Sequence, residues 1–272
     1  MVQLEVITRG SPDGLPGAAK PTPLLFVHGA WHGAWCWDEH FLPYFAAHGY
    51  IVHALSLRGH GKSEGRIFGS RIRHYAQDVA QVAASLPTPP IVIGHSMGGF
   101  TVQKYLETHS ETQPIPAAVL IASCPPGGLI PSTLRTLRTK PLTMLKVMIQ
   151  FRLYPLVSTP EQAHSHLFSS DFPVDRVAHY QARLSDESML AFLDMMGLDR
   201  VRVKRITARN IPIQVIGAGS DTLFLPREVV GTARAYGTVA EILPDIAHDM
   251  MLEDRWQEVA DRILAWLAER GL

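Results

Sequence analysis

Residues 94–98, Gly-His-Ser-Met-Gly, set a hydroxyl between glycines directly after the aliphatic run IVIGH (91–95). A serine hydroxyl titrates far above neutrality. It attacks a carbonyl only when a base takes its proton, a third group holds that base, and N–H donors meet the oxyanion. The pattern G-x-S-x-G permits a sharp strand-to-helix reversal that would lift Ser96 above a sheet edge. For the base, His248 in PDIAHDMMLED follows the last strand-like run, VAEIL (239–243). The other late histidines, His164, His166 and His179, fall where no strand is legible. For the acid, Asp221 closes IPIQVIGAGSD, just past a buried run, where a carboxylate can orient an imidazole. Asp245 and Asp249 flank His248 and compete for that role, but a sequence neighbour seldom folds back onto the ring. The run LLFVHG (24–29) ends in His28-Gly29, a turn that aims the N–H of Ala30 at the site. The N–H of Met97, opening the next helix, is the second expected oxyanion donor. Trp31 is a candidate substrate contact, whereas Trp35 and Trp37 suit the core.

Elements that could place these residues are legible as short apolar runs: 4–7, 24–29, 51–57, 91–95, 117–123, 211–219 and 239–243. Most are continuous rather than alternating, as expected of strands buried on both faces of a parallel sheet. Helical periodicity lies between them at 74–86, 100–110 and 255–271, the last stopped by Gly271. Strand and helix alternate, which predicts an α/β fold with a mostly parallel central sheet flanked by helices. Residues 127–209 break the alternation and read as helices. This gives a core of 1–126 and 210–272 with a helical lid, 127–209, inserted in it. The lid holds five of the nine methionines, and Met144 and Met148 are expected to touch substrate as pliable apolar wall. Its twelve Lys/Arg against seven Asp/Glu read as a solvated face rather than a binding patch.

Bulk composition excludes several classes. The 272 residues, 46% hydrophobic and 18% charged, describe a globular chain with a sizeable core. Zero formal net charge gives no footprint for nucleic acid or an anionic membrane. No apolar run approaches the roughly 20 residues that span a bilayer, and MVQLEVITRGSPDGLPG lacks the form of a secretory signal. Cys36 and Cys124 read as reduced thiols of a cytoplasmic protein. No metal-ligand spacing occurs among the thirteen histidines, so neither metal nor organic cofactor is expected.

The segments HGAW (28–31), LSLRGHGKSEG (55–65), GHSMGG (94–99), GSDTLFLP (219–226) and AHDMMLE (247–253) together resemble the α/β-hydrolase superfamily, serine esterase type. HGAWHGAWCW is also similar to the plant-type methylesterase and hydroxynitrile lyase branch. The resemblance runs from about residue 22 to the C-terminus in the family's order. It implies Ser96 as nucleophile, His248 as base, Asp221 as acid, and Ala30 and Met97 as oxyanion donors. It also implies a small-molecule ester as the partner and an acyl-enzyme as the intermediate. Cofactor-free perhydrolases and haloperoxidases share these residues, as do binding proteins of the fold that lack activity. A lyase of the related branch would carry a threonine near Ala30 and a lysine near His248, and this sequence has neither.

Overall fold

The computed structural model describes residues 2–10 and 22–272. Met1 and residues 11–21, which belong to the predicted N-terminal part of the core, lie outside the described residues. Seven strands form one sheet: β1 (Val6–Arg9), β2 (Leu24–Val27), β3 (Val52–Leu55), β4 (Ile91–His95), β5 (Ala118–Ile121), β6 (Ile213–Ala218) and β7 (Ala240–Leu243). Their spatial order is β1-β3-β2-β4-β5-β6-β7. Among the described residues only the edge strand β1 runs antiparallel, against β3. Each predicted run contains or overlaps one of these strands.

The continuous apolar runs have a direct cause. Successive side chains point to opposite faces, and both faces are covered. Leu24 and Phe26 enter one core, Leu25 and Val27 the other. On the first side the helices α1 (Trp35–Asp38) and α2 (Phe41–Ala47) cover the sheet, with Trp37 buried 5.0 Å from Phe26. On the second side lie α3 (Ile72–Ser85) and α4 (Met97–His109). Trp35 is only half-buried, under the guanidinium of Arg183.

Between β5 and β6 the chain forms α5 (Ile130–Thr139), α6 (Pro141–Gln150), α7 (Pro160–Leu167), α8 (Val174–Gln181), α9 (Met189–Leu193) and α10 (Val203–Thr207). No strand occurs from 127 to 209. Two further helices return to the sheet: α11 (Pro226–Ala235) on the α4 side and α12 (Trp256–Ala268) on the α2 side. Among the described residues no helix is long and apolar enough to cross a membrane. Both cysteines are buried and free.

Candidate active site

β4 delivers Ser96 into a reversal that few residues adopt. Ser96 has φ 53° and ψ −119°, a strained conformation costing about 1–3 kcal/mol. Local hydrogen bonds hold it there. Its N–H donates to Ile121 O at 3.1 Å, and its carbonyl accepts from Phe100 N at 3.2 Å and Cys124 N at 3.1 Å. The glycines have separate duties. A Cβ on Gly94 would sit 2.6 Å from Gly98 O. A Cβ on Gly98 would overlap the carbonyl oxygens of Val27 and His28, at the end of β2. Helix α4 therefore packs directly on β2 backbone, and its first N–H groups, Met97 included, lack intrahelical partners.

Three elements converge on the serine. The His248 Nδ1–H donates to Asp221 Oδ2 at 2.8 Å, because a carboxylate only accepts. That fixes the tautomer and turns the Nε2 lone pair to Ser96, whose hydroxyl donates to it at 2.9 Å. Asp221 is fixed in turn: its Oδ1 accepts the N–H groups of Leu223 at 2.7 Å and Phe224 at 3.0 Å. All three side chains are buried. Burial alone would depress the His248 ring. The charge and hydrogen bond of Asp221, with the charge of Asp249, outweigh it and lift the ring above its ordinary 6.5. Of the competing acids, Asp245 points to solvent with Arg255 beside it at 3.7 Å. Asp249 is buried beside His32 and makes no hydrogen bond to the His248 ring.

The loop after β2 is held from both ends. His28 Nδ1–H donates to Gly29 O at 2.8 Å, while its Nε2 accepts Leu57 N–H at 3.0 Å. Burial, then the charge of His60, keeps this ring well below its ordinary pKa, as one donating and one accepting nitrogen require. The carbonyl it grips belongs to the peptide that carries the Ala30 N–H. His32 Nδ1–H grips the next carbonyl, Ala30 O, at 2.8 Å. Within the described residues no hydrogen bond takes up the Ala30 N–H. Trp31 follows at φ 69°, and its carbonyl accepts Ser185 N–H at 2.8 Å, tying the helical insert to this loop.

Sequence reasoning missed the layer behind these residues. His95 Nε2–H donates to His248 O at 2.9 Å. Burial first, then the charge of His248, pushes the His95 ring down to about 3, so it stays neutral. His32 Nε2 lies 3.1 Å from Asp249 Oδ2, at ion-pair distance but outside hydrogen-bond geometry. Burial raises the Asp249 carboxyl, yet His32, then His95 and His248, hold it below its ordinary range. His32 lies two residues beyond Ala30 in HGAWHG, the one signal that could have flagged it.

Ser96 opens onto a cavity with about 670 Å³ of atom-free space, part of it open to solvent. Ala30, Met97, Trp31 and Met144 line it. The insert adds Leu156, Phe192 and Met195, and three hydroxyls of α5: Ser132, Thr133 and Thr136. Glu187 also reaches the wall, but His60 Nε2 (3.0 Å) and the Tyr75 hydroxyl (2.8 Å) take up its oxygens. Met148 does not belong to the cavity. It is 71% exposed, because the inward positions of α6 are Met144 and Val147 and one further residue turns the side chain by about 100°.

Residues 24–262 match the family model described as the alpha/beta hydrolase family, and the chain belongs to that family. By sequence it is 38% identical over 118 residues to a non-heme chloroperoxidase of Streptomyces lividans, covering 43% of this chain and 40% of that one. It is 37% identical over 109 residues to the bifunctional esterase/perhydrolase DCH of Acinetobacter calcoaceticus, covering 39% of each. The chain thus spans about two fifths of the length of these curated relatives. A thermophilic esterase from Thermogutta terrifontis, solved with malate bound, superposes with a TM-score of 0.74 at 18% identity, covering 100% of this chain and 95% of that one. That likeness establishes the fold.

Proposed function

We propose that this chain is a serine hydrolase that cleaves carboxylic esters of small, fairly apolar substrates through an acyl-enzyme. The observation that carries the reading is the buried relay from Asp221 through His248 to Ser96, opening on a largely apolar cavity. Ser96 Oγ attacks the ester carbonyl as its proton passes to His248 Nε2. Asp221 holds the ring and stabilises the imidazolium that forms. The N–H groups of Ala30 and Met97 receive the oxyanion. His248 then protonates the departing alcohol, water replaces it, and the same ring takes the water's proton as the acyl group leaves Ser96. In this reading residues 127–209 are the lid over the cavity, with Trp31 and Met144 as substrate contacts.

Turnover of p-nitrophenyl esters of graded chain length tests the proposal, with the optimum reporting the size of the cavity. Ser96→Ala should lower kcat by about 10⁶-fold. A fluorophosphonate probe should label the native chain at Ser96 and not the variant. Full activity in Ser96→Ala would sink the mechanism.

The haloperoxidase and esterase/perhydrolase relatives favour a second reading of the same intermediate. Hydrogen peroxide, in place of water, would attack the acyl-enzyme and release a peracid with Ser96 restored. Peracid formed from ester and peroxide, dependent on Ser96, distinguishes it from simple hydrolysis.

A further inference from the structure

Helix α5 is turned inside out for a helix of a water-soluble surface. Its hydroxyls Ser132, Thr133 and Thr136 face the cavity, whereas Ile130, Leu134 and Leu137, on one stripe at i, i+4 and i+7, face solvent. Helix α6 continues the pattern. Met144 and Val147 point inward, and Leu142 and Ile149 are each 75% exposed, with Leu145 between them on the same face. Scattered exposed apolar residues are ordinary, but two successive helices each presenting an apolar stripe outward are not.

Charge in this segment has one sign. Residues 130–160 contain five cations, Arg135, Arg138, Lys140, Lys146 and Arg152, and no Asp or Glu. Arg135 is paired with Glu228 and Arg152 with Asp186. Arg138, Lys140 and Lys146 have no carboxylate at ion-pair distance among the described residues. Zero net charge for the whole chain conceals this local excess.

We propose that the outer face of α5 and α6 docks on an anionic lipid surface, the leucines entering the headgroup boundary and Arg138 and Lys146 meeting lipid phosphates. Apolar stripes flanked by Lys and Arg are the pattern of helices that lie in a bilayer interface. A second copy of this chain fits less well. A two-fold interface would set these cations against one another with no acid in the segment to pair them. The same helices wall the cavity on their inner side, so docking would bring an apolar ester to within about one helix diameter, roughly 10 Å, of the site. The inference is independent of the proposed chemistry, because binding is read without turnover.

Cosedimentation with vesicles of phosphatidylcholine, alone or mixed with phosphatidylglycerol, is the test. The chain should partition into the mixed vesicles and be released by salt. The triple variant Leu142→Ser, Leu145→Ser, Ile149→Ser should weaken partitioning about tenfold or more. The double variant Arg138→Glu, Lys146→Glu should weaken it about tenfold on the mixed vesicles and remove their advantage over neutral ones. Unchanged unfolding midpoints would show that both variants are folded. No partitioning, partitioning unaffected by either variant, or a native dimer that the triple variant dissociates would each overturn the proposal.

Discussion

Helices α4 and α5 both border the cavity, and they are opposites. Eleven of the thirteen residues of α4 are buried, Lys104 and Glu107 among them, paired at 2.9 Å with Asp199 as the second acid on Lys104 at 2.8 Å. Of the ten residues of α5 only Ser132 is buried. The helix that carries Ser96 is enclosed on every side by sheet, α3 and insert, so its position is over-determined. The helix that supplies the opposite wall is held by one face and turns its apolar side to solvent. The serine turn thus opens the enclosed element, and the loosely covered one supplies the facing wall of the cavity.

Three experiments bear on that contrast. The largest effect should come from the residue that fixes the ring facing α4. Asp221→Asn should lower kcat toward esters by about 10⁴-fold, as expected when the tautomer and the imidazolium lose support, while Asp245→Asn leaves it unchanged. Equal losses in the two variants would reassign the acid.

The second experiment sets a small change in α4 against a larger one in α5. Gly98→Ala adds one methyl group where the backbone of Val27 and His28 already stands, and should destabilise the chain by about 3 kcal/mol, seen as a lowered unfolding midpoint. Leu134→Ser on α5 exchanges a leucine for a hydroxyl and should stay within about 0.5 kcal/mol, because that side chain faces solvent. The reverse order would show that the burial contrast has no energetic content.

The smallest effect is a displacement along the pH axis. His248 must be neutral to accept the Ser96 proton, and its pKa lies above 6.5. Activity should therefore fall as pH drops through a midpoint above 6.5 in the profile of kcat/KM. His95, neutral down to about 3, adds no step in that range. A midpoint at or below 6.5 would mean that burial outweighs Asp221.

Much of the frame was legible because it rests on local pattern. Continuous aliphatic runs locate the strands, since both faces of the sheet are covered. Chain order together with a place just past a strand-like run pairs Ser96, Asp221 and His248, and the structure brings the three into hydrogen-bond contact. Helix α4 begins at Met97, three residues before the expected 100, because Ser96 occupies a non-helical conformation as N-cap while Gly98 and Gly99 are helical. Glycines read as breakers in sequence, yet these two are there for close packing. What stayed illegible depends on which face of a helix turns inward. Met144 and Met148 are alike in sequence, four residues and only about 40° of helix rotation apart, yet one lines the cavity and the other stands in solvent one turn further along. Nor could spacing reveal Asp249 against His32, which are brought together only when the loops after β2 and β7 meet.

Gly98 joins the serine turn to the end of β2. The absence of a side chain lets α4 rest on the carbonyls that lead into the Ala30 loop, leaving no layer of side chains between them to act as a hinge. The first turn of α4, with Ser96 and Met97 at its start, thus packs backbone to backbone on the end of β2. The spacing between Ser96 and the end of β2 is thereby set by backbone packed on backbone rather than by side chains.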